Sequence, residues 1–283
     1  MTAILENLMA DLLWSALALG LGYVLLRRQT RGLAHLLGAS DGRRLLIVLP
    51  DMVVREGGTV GGYRLNGFVG NVVSRREFEA AVALRDSLTD PLVRLLRPRR
   101  PVLPSGRIGA AGPVEGTEFC PSSNTLAAAT ASTEPFAHLP SHMAGRSLVL
   151  IGGPVYNHLT ELGFRHPLAQ AVPEQQNGDG EWGLRVKTGP LSGHFFAGRG
   201  SSPDTEIATI QSFPAHVSGL RITICAGSSD AATQASVTFL LANWRRIARK
   251  CRQRPYAFLL QVDTHSGGTR LQTGIVDGQP FTL

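Results

Sequence analysis

The chain has 283 residues, of which 43% are hydrophobic and 17% charged, and this composition excludes global disorder. Its 32 glycines and 17 prolines predict many turns and disfavour an all-helical bundle. Three cysteines are too few for a disulfide-dense secreted scaffold, so a reducing compartment is the simpler interpretation.

The net charge of +7 would suggest a nucleic-acid partner, but the distribution of the charges argues otherwise. Only two of the 28 basic residues are lysines, and such a skew is typical of a GC-rich genome. Most of the excess falls in three arginine-rich stretches, at 27–44, 94–100 and 245–254. We therefore expect no nucleic-acid partner. The third stretch is most simply a solvated helix end, and attraction to anionic lipid is its functional alternative.

Residues 8–26 form an apolar run that only Asp11 interrupts. As a helix with a rise of about 1.5 Å per residue, this run spans about 30 Å, the thickness of a hydrocarbon core. Glu6 precedes it, Asp11 lies near its start, and Arg27 and Arg28 follow it, which is the reverse of the order in a cleaved signal peptide. The sequence thus predicts an uncleaved single-pass anchor that contacts membrane lipid through residues 8–26.

The positive-inside rule places the arginine-rich side of this anchor in the cytoplasm. The predicted organisation is therefore a membrane anchor and basic tether at 1–40 and a cytosolic α/β domain at 41–283. The alternative is a buried or surface-lying helix with no membrane contact. An oligomer is compatible with either arrangement.

Three short apolar runs bounded by Gly or Pro predict strands that are buried on both faces, as in a parallel sheet. They are Leu45–Leu49 (LLIVL), Ser147–Ile151 (SLVLI) and Arg221–Ala226 (RITICA).

Two helices have recognisable first residues. Ser74 and Glu77 have the spacing of a capping box, which predicts a helix over 75–88. Ser229 or Asp230 can cap a longer helix that ends in the third basic stretch, where cations suit the helix dipole.

The C-terminal runs AFLLQVDT and TRLQTGIVDG flank the turn HSGG and predict a β-hairpin. Two weakly patterned stretches, about 97–146 and about 173–204, are predicted as long loops, the first with a helix at 123–132. The predicted fold is α/β, with a mainly parallel sheet, a C-terminal β-hairpin and one N-terminal transmembrane helix.

Ligands of open parallel sheets bind beyond the carboxyl ends of strands, where glycines admit the ligand and helix N-termini offer amides. Two segments have this form, and neither matches a dinucleotide-binding or P-loop motif. Asn157 is the strongest ligand candidate, although its amide can equally close its own turn. Capping is the alternative role for Asp230. The candidate ligand-binding residues are Gly152, Gly153, Asn157 and Thr160 in the first segment and Gly227, Ser228, Ser229, Asp230 and Thr233 in the second.

The segments IGGPVYNHLTELGF and ITICAGSSDAATQASVTFLL resemble the best-marked parts of an uncharacterised group of prokaryotic Rossmann-like domains. In that group one strand ends in GGP-x-x-N and a later strand ends in a glycine turn with G-T before an alanine-rich helix. Here Ala232 stands where the glycine before Thr233 is expected. Similar domains, some joined to membrane helices, occur in nucleotide-signal and phage-defence systems. The resemblance implies a Rossmann-like fold and nucleotide recognition, without a specified reaction.

Other groups carry weaker signals. His138 and His142 are separated by Pro140, which argues against one helical face, so no metal site and no cofactor are predicted. Cys225 lies inside an apolar run and is expected to be a core residue rather than a nucleophile.

Three functions remain open. The preferred one is a membrane-anchored cytosolic domain that binds a nucleotide-like ligand as a sensor or effector. The alternatives are a hydrolase of a nucleotide or NAD-like ligand, and a non-catalytic scaffold next to the membrane. The sequence names no catalytic residue.

Overall fold

The structure is a computed structural model in which most of the chain is described. The described residues are 2–39, 45–50, 52–54, 59–60, 63–64, 70–89, 118–121, 136, 143, 145–155, 157–176, 181–197, 204–215, 220–263, 265–266 and 268–282.

The first element is a single continuous helix, α1 (Thr2–Leu36). Its stretch Met9–Leu36 is long and apolar enough to cross a membrane, and no residue of its most apolar part is buried by the described residues. The last turn differs, because Leu33 and Leu36 are almost fully buried in the domain core. The prediction of one N-terminal apolar helix is confirmed, and the helix runs directly into the domain before the predicted boundary at residue 40.

The other elements follow in chain order. They are β1 (Leu45–Leu49), β2 (Met52–Val54), β3 (Thr59–Val60), β4 (Tyr63–Arg64), β5 (Gly70–Val72), α2 (Arg75–Leu88), β6 (Glu118–Pro121), β7 (Ser147–Ile151), α3 (His158–Arg165), β8 (Ala171–Gln176), β9 (Glu181–Val186), β10 (Phe195–Ala197), β11 (Thr205–Pro214), β12 (Arg221–Gly227), α4 (Asp230–Cys251), β13 (Tyr256–Asp263), β14 (Thr269–Val276) and β15 (Gln279–Phe281).

The main sheet has eight strands in the order β15-β14-β13-β11-β12-β7-β1-β6. Strands β6, β1, β7 and β12 are parallel, whereas β11, β13, β14 and β15 join through antiparallel pairs. The sheet is therefore mixed rather than mainly parallel. The difference arises because the short connections after β11, β13 and β14 reverse the chain, and short connections produce antiparallel neighbours. The predicted C-terminal hairpin is present as β13 and β14.

Different elements pack against the two faces of the main sheet. On one face, α2, α4 and the last turn of α1 bury a single apolar cluster. On the other face, α3 packs against the parallel half of the sheet. A second sheet, β10-β9-β8, covers the antiparallel half of that same face. The result is a layered α/β domain, and a Rossmann-like arrangement stays a prediction.

The two predicted long loops differ in outcome. The stretch 173–204 contains most of the three-stranded sheet β8 to β10, so the prediction of a loop there is wrong. Its alternating residues in EWGLRV are those of a half-buried strand, and the surrounding turn residues hid that pattern. In the stretch 97–146 the structure describes β6. The predicted helix at 123–132, and His138 and His142, lie outside the described residues.

Candidate functional site

The order of the parallel strands changes direction at β1, which lies between β6 and β7. The chain leaves β1 for β6 on one side and returns to β7 on the other side. In α/β sheets such a reversal opens a crevice beyond the carboxyl ends of the two strands, and ligands bind there.

Gly152 lies at this crevice, directly after β7. Its φ of +103° favours glycine, and a Cβ there would lie 3.0 Å from Pro50 Cγ and 3.1 Å from Glu77 Oε1. Pro50 follows β1, and Glu77 belongs to the first turn of α2. The ends of β1 and β7 therefore meet the carboxyl group of Glu77.

The two glycine turns predicted from the sequence meet as well. A Cβ on Gly153 would lie 3.3 Å from the carbonyl oxygen of Gly227. Gly227 in turn approaches the first turn of α4 so closely that a Cβ would lie 2.5 Å from the amide nitrogen of Thr233. Both loops thus border one region, together with the N-termini of α2 and α4. We name the group formed by Ser74, Glu77, Gly152, Asp230 and Thr233 the strand-end site.

Glu77 is the buried acid of this site, with only 6% of its surface exposed. Burial raises the pKa of Glu77 to about 7, charge repulsion from Asp230 adds to the rise, and contact with the Thr233 side chain opposes it. A carboxyl group with such a pKa exchanges a proton near neutral pH.

Asp230 connects α4 to α2. Its Oδ2 accepts a hydrogen bond of 2.7 Å from the Ser74 hydroxyl, and its Oδ1 lies 3.7 Å from Nη1 of Arg76. The capping box predicted from Ser74 and Glu77 is not formed, because Ser74 makes no side-chain capping bond and Glu77 points into the core. Both side chains serve the contact between the two helices instead.

Carboxylates dominate the charge around the α4 N-terminus. The hydroxyl of Ser229 donates a hydrogen bond to Glu206, which adds a third acid beside Glu77 and Asp230. The one arginine paired with them among the described residues is Arg76. Because carboxylates repel phosphate and accept bonds from hydroxyl and amino groups, this end of the site favours hydroxyl or amino groups of a ligand over phosphates.

The described part of the chain contains no group of three or more His, Cys, Asp and Glu side chains that could hold a metal ion. The carboxylates of Glu77, Asp230 and Glu206 and the hydroxyls beside them are hydrogen-bonding groups suited to an organic ligand.

Asn157 lies on the opposite face of the sheet, where it caps α3. Its Nδ2 donates to the carbonyl oxygen of Ile151 at 2.8 Å and to that of Val48 at 3.4 Å, and its Oδ1 accepts from the amide of Thr160 at 3.2 Å. The side chain is fully buried. Of the two roles that the sequence allows for Asn157, the structure places it in the closing of its own turn.

The remaining residues that the sequence predicts as ligand contacts lie in different places. Thr160 is fully buried in α3, and its hydroxyl makes no hydrogen bond with the described residues. Ser228 is exposed and bonds to the backbone of Ile207. Ser229 is the N-cap of α4, so capping falls to Ser229 rather than Asp230.

Ser74, Arg76 and Glu77 were not predicted as site residues. The signal for Glu77 was present in the sequence, because the buried face of α2 recurs at helical spacing and Glu77 occupies its first position, four residues before Ala81 and seven before Leu84. An acid on an apolar stripe is a candidate for function.

No protein-family model matches the chain, and neither a curated protein nor a solved structure is significantly similar to it. The resemblance to prokaryotic Rossmann-like domains stays a prediction that rests on the sequence segments alone.

Proposed function

We propose that this protein is a membrane-anchored sensor or effector whose domain lies on the cytoplasmic side and binds a nucleotide-like ligand at the strand-end site. One observation carries the proposal. Pro50 and Gly152 bring the carboxyl ends of β1 and β7 to the buried carboxyl of Glu77 beside Asp230, and Gly227 at the end of β12 packs on the first turn of α4.

The ligand class follows from the chemistry of the site. In nucleotide-binding α/β domains an acidic side chain near the strand ends accepts hydrogen bonds from ribose hydroxyls. Glu77 and Asp230 can serve in this way. The acidic surroundings predict that a nucleoside is recognised chiefly through its sugar and base.

The position of α4 supports a sensor. Its first turn carries Asp230 and Thr233 at the site, and Trp244 in its second half contacts Gly32 of α1. The helix has 22 residues, about 33 Å at about 1.5 Å per residue, so one rigid element connects the ligand site with the anchor.

The test is a thermal-shift screen of the full chain in lipid nanodiscs. The panel contains adenosine, NAD, cyclic nucleotides and nucleoside triphosphates. We expect at least one member to raise the melting temperature, and Glu77→Gln and Asp230→Asn to abolish that rise. The matched control is Glu79→Gln, which removes an exposed acid of the same helix and should leave the rise unchanged.

Two results would contradict the proposal. A rise in melting temperature that persists in both site variants would show that the ligand binds elsewhere in the protein. A panel without any rise would favour the non-catalytic scaffold.

A hydrolase acting on the same ligand is a second candidate, and the pKa of Glu77 favours it. A carboxylic acid that is half protonated near pH 7 can deliver a proton to a leaving group. If the chain hydrolyses a ligand from the panel, chromatography will detect the products. Glu77→Gln should then lower turnover by on the order of a hundredfold. Binding without turnover would favour the sensor over the hydrolase.

A further inference from the structure

Helices α1 and α4 contact each other directly after the apolar run. A Cβ on Gly32 would lie 2.7 Å from the ring of Trp244. Three residues later, the carbonyl oxygen of His35 accepts a 3.0 Å hydrogen bond from Nε2 of Gln253. The second half of α4 is thus held beside α1 at the point where α1 enters the domain.

This contact lies close to where a bilayer surface would be. Gly32 lies six positions after Leu26, the last residue of the apolar run, and these are six helical steps. At about 1.5 Å per residue they span about 9 Å. The headgroup layer on each side of a bilayer is roughly 5 to 8 Å thick. Trp244 and its neighbours on α4 therefore lie at the outer border of the headgroups.

The residues around this contact are arginines. Arg245 and Arg249 are one turn apart on α4, Arg252 continues their row at the C-cap, and all three are exposed. The guanidinium of Arg245 stacks on the Trp244 ring, 5.5 Å from its centroid. Helix α1 carries three more exposed arginines between the apolar run and Gly32. We name the group the α1–α4 basic surface, and it consists of Arg27, Arg28, Arg31, Arg245, Arg249 and Arg252.

These arginines have no acidic neighbours on their own helices. Helix α1 carries no Asp or Glu after Asp11, and α4 carries none after Asp230. None of the ion pairs among the described residues involves a member of the surface. Among the described residues the positive charge is therefore uncompensated, and its distance from the headgroups is within one Debye length, about 8 Å at physiological salt.

We propose that the α1–α4 basic surface binds anionic phospholipid headgroups in the leaflet from which α1 emerges. The inference rests on the proposed insertion of α1 into a membrane. Polybasic segments next to a membrane helix attract anionic lipid in this way.

Such binding sets the orientation of the domain. Helix α1 reaches the sheet at the amino ends of the parallel strands, since the Ser147 hydroxyl donates to the carbonyl oxygen of Gly38 at 2.8 Å. Gly152 and Gly227 lie at the opposite ends of β7 and β12. Lipid contact at the basic surface therefore turns the strand-end site away from the bilayer.

The experiment measures the fluorescence of Trp244 in the full chain, in a Trp14→Phe/Trp182→Phe background that leaves Trp244 as the one tryptophan. The chain is placed in nanodiscs of phosphatidylcholine alone, or of phosphatidylcholine with phosphatidylglycerol. Both contain the same fraction of headgroup spin-labelled lipid as quencher. We expect stronger quenching in the anionic nanodiscs, and loss of that difference in R245Q/R249Q. The control R75Q/R270Q removes two exposed charges at the far end of the domain and should keep the difference.

The outcomes separate the two proposals. Equal quenching in both nanodiscs, or a difference that survives in R245Q/R249Q, overturns the lipid site while the anchor stands. Release of the chain from membranes by alkaline carbonate overturns the anchor itself. Short RNA is tested on the same variants. If R245Q/R249Q removes RNA binding but keeps the quenching difference, the surface binds nucleic acid and the lipid site is overturned.

Discussion

Glu77 is an acid on the apolar face of α2, and its burial links the stability of the domain to pH. Its pKa rises from an ordinary value of 4.5 to about 7 in the folded chain. The folded state therefore binds the proton more tightly than the unfolded state does. The resulting stabilisation is complete below about pH 4.5 and is lost as the pH rises through about 7.

We predict that Glu77→Gln removes this pH dependence. A shift of that size corresponds to about 3 kcal/mol of unfolding free energy between pH 4.5 and pH 7. Glutamine imitates the protonated acid, so the variant should keep its stability across the window in which the parent chain loses it. Urea unfolding at a series of pH values measures the difference. Glu79→Gln, on the exposed side of α2, should behave like the parent, and a Glu77→Gln profile parallel to that of the parent would refute the assignment.

Asn157 is predicted to contribute to stability. Asn157→Ala removes the cap of α3 and leaves the carbonyl oxygens of Val48 and Ile151 without their amide donor. We expect a loss of about 2 to 3 kcal/mol in unfolding free energy. Asn243→Ala is the matched control, because Asn243 bonds only to the preceding turn of its own helix and should cost less than about 0.5 kcal/mol. Equal losses would contradict the capping role.

The thiols of Cys225 and Cys251 are predicted to be unreactive in the folded chain. Burial raises their pKa to about 12 and about 11, so the nucleophilic thiolate is scarce at neutral pH. The expectation that Cys225 is a core residue is confirmed by its complete burial. Maleimide labelling followed by peptide mapping should find both cysteines unmodified before denaturation and modified after it. Rapid labelling of Cys225 in the folded chain would contradict its place in the core.

At the scale of elements, the close approach of β12 to α4 depends on Gly227. Its Cβ would overlap the Thr233 amide and the Ala232 side chain, each at 2.5 Å, so backbone must move. We predict that Gly227→Ala lowers the unfolding free energy by about 2 kcal/mol and weakens any ligand bound at the strand-end site. Gly20→Ala is the control, because a Cβ there meets nothing within 4 Å. Calorimetry of the two variants in the same detergent makes the comparison, and an unchanged melting temperature for Gly227→Ala would refute the contact.

The sequence predicted those elements whose signal is local. The strands β1 and β7 and the helix α2 have the predicted bounds, because apolar runs and helical periodicity determine them directly. Strand β11 was missed although it pairs with both β12 and β13, since its residues TEIATIQSFP mix apolar and polar side chains. Its position in the sheet depends on partners that no local pattern reveals.

Only part of the candidate site was predicted from the sequence. The sequence predicts ligand contacts at the glycine turns of Gly153 and Gly227, and in the structure these two turns border one region. The spacing of Ser74 and Glu77 predicts a capping box. The same two residue types at this spacing can instead contact another helix, as they do here. The partner of Ser74 is Asp230, 156 residues away, and such a pairing becomes visible only in three dimensions.

At the scale of the whole molecule, the last turn of α1 belongs to the core of the domain, whereas its apolar run does not. Leu36 is only 3% exposed, whereas Leu19 in the same helix is 76% exposed. We predict that Leu36→Ala lowers the unfolding free energy of the domain by about 2 to 4 kcal/mol, as for other buried leucines. Leu19→Ala should leave it unchanged. Tryptophan emission during urea unfolding in nanodiscs reports the result, and equal behaviour of the two variants would separate the anchor from the core.

The contact between Gly32 and Trp244 also has a consequence for synthesis. These residues are 212 positions apart, so Trp244 leaves the ribosome long after α1 has been made. Chains fold as they emerge, at roughly 5 to 20 residues per second. For tens of seconds the apolar last turn of α1 has no α4 to cover it. Until its final quarter arrives, a nascent chain therefore lacks the part of the apolar cluster around Leu33 and Leu36 that α4 supplies.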